Sequence, residues 1–544
     1  MFLGSSLVAL CANASLLNFL STQLPDEKDP EGIFDQPFKK YYDYIVVGSG
    51  SAGGIIATRL SEDPVRVLLL EAGGSNLENE YTRIPLPWKR ALKSKVNWGF
   101  YTVPQKYSSF ASKNKKAKAT RGKVLGGTGS MNGMNYVRGS RHDFDQWRNE
   151  GCHFMAEEVL WLSQKPIRHR WNFFIGLPPL RKVYQLLTVM AITRLVIIRN
   201  GTARGVTVMK NGRTTRVYAK EEVILSAGVF GSPQILLLSG IGPKAHLQKV
   251  GVPLKVDLPV GEGMQDHMQY FFQYSTNTSL NMNQEKALDQ REIMEYVFYK
   301  KGVQTRPGND GTIFAHLPDN ENDHSYPDLQ LSFKAFANEK DPIKCAVDRM
   351  NKRGDFAEQT RTASIGFAVL ICKLHHKSRG TLRLKSKNPL APPRIDPNYL
   401  SHQDDVDSYM KILRFVQHLS NNTAWKSIGT TFVRQEECTN HCKNLTFDTD
   451  DYWRCMVRHY AVESNHQVST CRMGAGNDPT AVVDPYLRVK GIKRLRVADS
   501  SVMRNVPSAN TNAATMMIGE KAADMIKASR RLKYNSKYGK SVVL

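Results

Sequence analysis

Between Tyr42 and Glu71 the alternation of apolar and polar positions changes character three times. Tyr42-Asp43-Tyr44-Ile45-Val46-Val47 is an almost unbroken apolar run of strand length, and predicts a buried strand. Gly48-Ser49-Gly50-Ser51-Ala52-Gly53-Gly54 follows without bulk, and Ile55 to Ser61 then reads as a helix. Val65 to Leu70 predicts a second strand, closed by Glu71. Met1 to Leu20 is apolar and uncharged and contains Ala12-Asn13-Ala14, which predicts a signal peptide or signal anchor ahead of the polar linker Pro25 to Pro30. No later apolar run approaches the roughly 18 residues that span a bilayer, so no stable membrane span is expected.

The strand, glycine turn, helix and strand form the frame in which GxGxxG binds a dinucleotide. Gly48 allows the tight turn, Gly50 lets backbone approach a pyrophosphate, and Gly53 lets helix and strand pack closely. The helix start offers free N–H groups and a positive dipole end to the phosphates. Glu71 is placed to accept hydrogen bonds from ribose hydroxyls. Nicotinamide and flavin dinucleotides satisfy this motif equally, so both an NAD-linked and a flavin-linked dehydrogenase fit it.

Charge narrows the classes further. The 544 residues hold 75 Lys+Arg against 50 Asp+Glu, a formal +25, and the hydrophobic share of 41% is ordinary for a globular chain. A disordered or fibrous protein is thereby excluded. The excess sits in three acid-free stretches, 81–142, 159–220 and 527–540, so the protein is not evenly basic. The piece Gln164 to Phe174 interleaves Lys165, Arg168 and Arg170 with Trp171, Phe173 and Phe174, but no nucleic-acid fold or repeat accompanies it, and no nucleic-acid partner is expected. Eight cysteines are too few for a disulfide scaffold. Cys438 and Cys442, with His441 beside the second, suit a local disulfide in an oxidising compartment or a metal half-site. No second Cys/His pair at finger spacing follows, and no metal is expected. Sequons at Asn200, Asn277, Asn421 and Asn444 are compatible with secretion.

Four further blocks carry a resemblance. Gly122 to Gly139 (GKVLGGTGSMNGMNYVRG), Gly228 to Gly242, Leu258 to His267 (LPVGEGMQDH) and the closing run from His466 to Thr515 occur in order. Over roughly 42–148 and 190–527 the chain resembles the glucose-methanol-choline (GMC) oxidoreductases, in particular their arthropod glucose dehydrogenase-like members. Val229 and Gly263 depart from the patterns, which have a smaller residue and Asn there.

The resemblance implies an α/β chain, α+β overall, in which a Rossmann-like FAD-binding domain (42–267 and 461–530) is interleaved with an antiparallel-sheet substrate domain (268–460). A signal segment (1–24) precedes it and a basic tail (531–544) follows. The resemblance makes FAD the cofactor and places His466 as catalytic base with Asn512 as its partner. It puts Val124, Asn132, Gly133, Met134, Asn135 and Ile192 against flavin or adenine, Asp499 and Asn510 along the second pyrophosphate and flavin wall, and a tail helix over Ala513 to Ile526 with its N-terminus toward the cofactor. Met131 stands where some relatives carry a flavin-linking His, so the FAD is expected to be non-covalent. The implied reaction oxidises the CH–OH group of an alcohol or sugar by hydride transfer to flavin N5, with quinone or oxygen as acceptor, in a secreted or signal-anchored protein. Between Trp147 and Ile192 the likeness lapses, and the interval is much shorter than the family's flavin lid. A catalytically impaired FAD-binding paralogue or an incomplete gene product is the alternative. His375 and His376 are expected at the surface.

Overall fold

The computed structural model describes residues 37–76, 82, 91–153, 187–188, 191–277, 290–299, 301–306, 309–317, 326–336, 366–433 and 441–538. The expectations for 1–24, for Gln164 to Phe174 and for Cys438 lie outside these residues.

The first apolar run forms β1 (Tyr41–Val47) and the helical run forms α1 (Gly53–Leu60), followed by β2 (Val67–Leu70). β2 carries β3 (Leu187–Thr188) on its far side. A meander of β4 (Ala191–Arg199), β5 (Thr202–Lys210) and β6 (Arg213–Leu225) follows, and the order across the sheet is β3-β2-β1-β6-β5-β4. β1 pairs in parallel with β2 and with β6, so the chain reverses direction across the sheet at β1. The doubly covered central strands explain their continuous apolar runs: Ile45, Val46, Leu68 to Leu70 and Val223 to Leu225 are all buried.

The second sheet is antiparallel. It orders β7 (Met268–Ser275), β8 (Gly311–Ala315), β9 (Leu329–Phe336), β10 (Gly366–Lys373) and β11 (Thr431–Phe432) as β8-β9-β10-β7-β11, with β12 (Val462–Glu463) also on β7. Its inner face, including Tyr270, Phe272, Leu331 and Val369, packs with Tyr409, Leu413, Trp453 and Val457 from two amphipathic helices, Gln403–Ser420 and Asp450–Tyr460, in one core.

The chain then returns to the first sheet. β13 (Leu495–Val497) pairs in parallel with the end of β6, and the closing helix Asn512–Tyr538 packs on α1, where Arg59 bonds Glu520 at 2.7 Å. That helix is longer than the reading of Ala513 to Ile526, because no Gly or Pro interrupts the basic run after it and its first part stays helical. Arg496 in β13, 2% exposed, clasps buried Glu222 of β6 at 2.6 Å and donates to the Tyr486 carbonyl and to Ser529 of the closing helix. Among the described residues Cys442 is bonded to Cys455, and no helix is long and apolar enough to cross a membrane. Removing one partner of a buried ion pair leaves the other uncompensated. Arg496→Met is therefore expected to cost about 3 kcal/mol, read as a thermal midpoint several degrees lower, whereas Lys377→Met at an exposed pair should leave it unchanged.

Candidate active site

The carboxyl ends of β1, β2, β6 and β13 converge on a cavity of about 930 Å³, whose other walls come from the 122–135 loop, the second sheet and the segment before the closing helix. At its floor the glycines divide their work. Gly48 has φ +97°, and a Cβ there would lie 2.3 Å from the Ser226 carbonyl oxygen. At Gly53 a Cβ would lie 1.9 Å from the Gly48 oxygen, so that glycine serves packing and does not line the cavity. Gly50 lines it, and nothing nearer than Gly127 Cα, at 4.0 Å, faces the site of its missing Cβ. Ala52 offers no side-chain cap and the first turn of α1 holds no acid, which leaves a positive helix end toward the cavity. Bare backbone, an open helix end and a buried carboxylate are what a dinucleotide needs. Glu71 is that carboxylate: it accepts from Ser49 Oγ at 2.7 Å and from Gly73 N at 2.8 Å, and burial raises its pKa against those bonds.

Asn132, Gly133, Asn135 and Ile192 line the cavity. Val124 and Met134 do not. Val124 is fully buried behind the loop with Ala91, Val96 and Met131, the outcome expected of a branched apolar side chain beside a packed cluster. Met134 sits at φ +58°, in a turn where its N–H is taken by Asn132 Oδ1 at 2.8 Å. Asp499 lines the cavity while its carboxylate anchors the helix Gly228–Leu238, accepting from Gly228 N at 2.9 Å and Ser232 Oγ at 2.5 Å. Gly263 has φ +72° with open space around it, a left-handed position that suits either Asn or Gly.

On the wall toward the second sheet stands His466, buried, with Nε2 3.0 Å from Asn510 Nδ2 and Nδ1 3.0 Å from His267 Nδ1. Its backbone N–H donates to Asp266 at 2.7 Å, and the same carboxylate accepts from Tyr399 Oη and Gln467 Nε2, each at 2.5 Å. Burial pushes Asp266 up to about 7. Burial also drives His466 down to about 3, with the Arg121 guanidinium adding to the effect, so the imidazole is neutral. Asn512 is not beside His466. As the first residue of the closing helix it bonds Ser51 of the glycine turn, and Asn510, two residues earlier in the preceding turn, takes the place expected of it. The reading from motifs also gave no role to His267, Asp266 or Arg121, although Asp266 and His267 close the LPVGEGMQDH block. His376 is buried, contrary to the surface position expected, and among the described residues neither of its ring nitrogens has a hydrogen-bond partner. His375 is half-buried and bonds the Pro327 carbonyl.

A mixed sheet whose parallel strands carry a glycine cradle at the switch point, facing a histidine and amide wall, defines a dinucleotide-binding oxidoreductase. Sequence profiles described as GMC oxidoreductase match residues 42–166, 177–269 and 376–519, and the chain belongs to that family. It is 32% identical to glucose dehydrogenase [FAD, quinone] of Drosophila melanogaster over 613 positions, covering 96% of this chain and 94% of the relative. It is 31% identical to the oxygen-dependent choline dehydrogenase of Sinorhizobium medicae, covering 89% and 95%. In fold it is similar to a formate oxidase (TM-score 0.75, 22% identity, 91% and 100% covered) and to a fungal aryl-alcohol oxidase (0.70, 21%, 91% and 100%). The profile match breaks between 166 and 177, and the 613-position alignment exceeds this chain's 544 residues, so the relative carries internal residues that this chain lacks.

Gly50→Val is expected to fold with an unchanged midpoint and bind FAD at least about tenfold more weakly, whereas Gly53→Ala should lower the midpoint itself; calorimetry and flavin titration separate the two. His376, held down to about 3 by burial against the pull of Asp405, is neutral when folded and protonates once unfolded. Its depressed value contributes stability above pH 6.5 that is lost as pH falls toward 3, at about 1 kcal/mol per pH unit. His376→Leu should flatten the fall in thermal midpoint between pH 7 and pH 5 relative to the unaltered protein.

Proposed function

We propose that the chain is an FAD-dependent enzyme that oxidises the CH–OH group of an alcohol or sugar-like donor, with a quinone or oxygen as electron acceptor. The observation that carries this reading is the pair His466 Nε2 and Asn510 Nδ2, 3.0 Å apart on the wall of a cavity whose floor is a dinucleotide cradle. Gly50, Glu71 and the α1 N-terminus would hold the pyrophosphate and ribose, and Asn132, Gly133, Asn135 and Ile192 the ring systems. With Met131 at the linking position, the cofactor is held without a covalent bond. FAD, when bound, supplies the two-electron acceptor for a hydride.

The chain's own residues manage the proton. Neutral His466 receives the hydroxyl proton at Nε2 as the C–H hydride leaves, and Asn510 orients the substrate oxygen without adding charge. Asn512, on the glycine-turn side, fits a cofactor contact better than a substrate contact. The sugar and alcohol donors of the relatives support the donor class, and the Cys442–Cys455 bond supports an oxidising, secretory setting.

A second reading, an FAD-binding paralogue without turnover, draws on the break in the profile match inside 148–190. One experiment decides. The protein is reconstituted with FAD and offered a panel of sugars and alcohols without oxygen. Bleaching of the flavin is expected, and His466→Ala should slow it by about 100-fold or more at equal flavin content. Bound flavin that no donor bleaches would favour the second reading, and a protein that takes up no flavin would sink both.

A further inference from the structure

We propose that His267 is a positioning residue that fixes which nitrogen of His466 carries the proton, an assignment that rests on His466 being the base. His267 closes the LPVGEGMQDH block one residue before β7, and the pairing of Met268 with Glu463 brings it against His466. The Ser464 N–H bonds the His267 carbonyl at 2.9 Å and fixes the spacing. The two rings stand nearly perpendicular, at 84°, with centroids 5.2 Å apart, and both are buried.

Hydrogen-bond chemistry then leaves one arrangement. His267 Nε2 lies 2.9 Å from the Leu374 carbonyl oxygen, which only accepts, so Nε2 carries the hydrogen. A neutral imidazole protonated there has a bare Nδ1, which accepts from His466 Nδ1–H across 3.0 Å. His466 Nε2 is left with its lone pair, aimed at the Asn510 amide and the cavity. A doubly protonated His267 would reverse the chain of donors and place a hydrogen on His466 Nε2, where it blocks proton uptake. The surroundings oppose that charge. His466, His376 and His375 all face His267, and Asp266, the adjacent carboxylate, is turned toward the His466 backbone, Tyr399 and Gln467. Burial likewise holds His267 well below the ordinary histidine value. Once His466 has taken the substrate proton, its Nδ1–H still donates to His267, so the imidazolium forms with a partner already in place.

Two variants of similar polarity separate this role from packing. In His267→Asn the amide oxygen falls near the Nδ1 position and keeps the acceptor, while in His267→Gln the amide reaches the Nε2 position and keeps only the bond to Leu374. Flavin reduction by a saturating donor is measured by stopped flow, and carbethoxylation of His466 by diethyl pyrocarbonate is measured in flavin-free protein by peptide mass spectrometry. Expected are rates within about threefold of the parent for Asn, and losses of about tenfold or more for Gln in flavin reduction, with KM and flavin content little changed. His466 modification should follow the same order. Equal rates in the two variants, or the reverse order, would overturn the proposal. If neither variant folds, the adduct formed on the unaltered protein decides: His466 modified at Nε2 supports the assignment, and modification at Nδ1 rejects it. The chemical-modification arm needs no turnover, so an unaltered protein whose flavin never bleaches would count against the proposed function without touching the tautomer.

Discussion

Where β1 runs out into Gly48, two strand ends approach more closely than side chains permit. The Ser226 carbonyl occupies the space a Cβ of Gly48 would need, and the Gly48 oxygen occupies that of Gly53. This double backbone contact draws β1, β6 and the start of α1 to one point, and the rest of the cavity is arranged around it. Ser226 Oγ in turn bonds the Ala498 carbonyl at 2.9 Å, so β13 and Asp499 are registered against the same point. Asp499 then holds the start of a second helix. A chain of short polar contacts thus carries the position of one glycine turn across the width of the sheet.

The opposite wall obeys a different constraint, the cost of burying charge. Arg121, Asp266, Tyr399 and Gln467 are packed together behind His466, and their hydrogen bonds point at one another and at backbone. Such a network is worth its desolvation only when every member is matched, and its product is a rigid backbone at 465–467. His466 is then presented to the cavity on a fixed support, neutral because water has been removed from it. The two walls join through the closing segment, where Asn510 meets the histidine and Asn512 meets the glycine turn.

Much of this was legible in the residues. The strand, turn and helix from Tyr42 to Glu71 follow from local periodicity and glycine placement, which act within a few residues. His466 was legible only through its place in an ordered block, since one histidine among 14 carries no local mark. Asn510 and Asn512 were exchanged because two identical amides two positions apart differ only in where the helix begins, and a one-residue shift in its start rotates a side chain by about 100°. His376 was misplaced for a related reason. It follows the fully buried strand Gly366–Lys373, and the sequence around it, Lys373 to Lys377, is polar enough to read as surface. Its burial comes from Tyr409 and His267, contributed by segments far along the chain. The cysteine partner lies only 13 residues on, but spacing alone does not show that Cys455 sits on a helix that returns beside Cys442.

The break in family likeness between 166 and 177 bears unequally on the two halves of the chemistry. The groups that hold His466, namely Asp266, His267 and Asn510, all come from other parts of the chain, and so do the glycine floor and Glu71. On the proposed reading, proton uptake therefore rests on contacts among these described residues. Exclusion of water from the donor's carbon is another matter, because a developing charge beside solvent is screened where one beside protein dipoles is stabilised. On that reading, less complete exclusion of water would lower the rate of carbon oxidation while leaving the contacts that hold His466 intact. The three acid-free stretches fit this picture as well: Lys93, Arg121 and Lys123 from the first of them line the cavity. Part of the chain's positive excess thus faces the cavity.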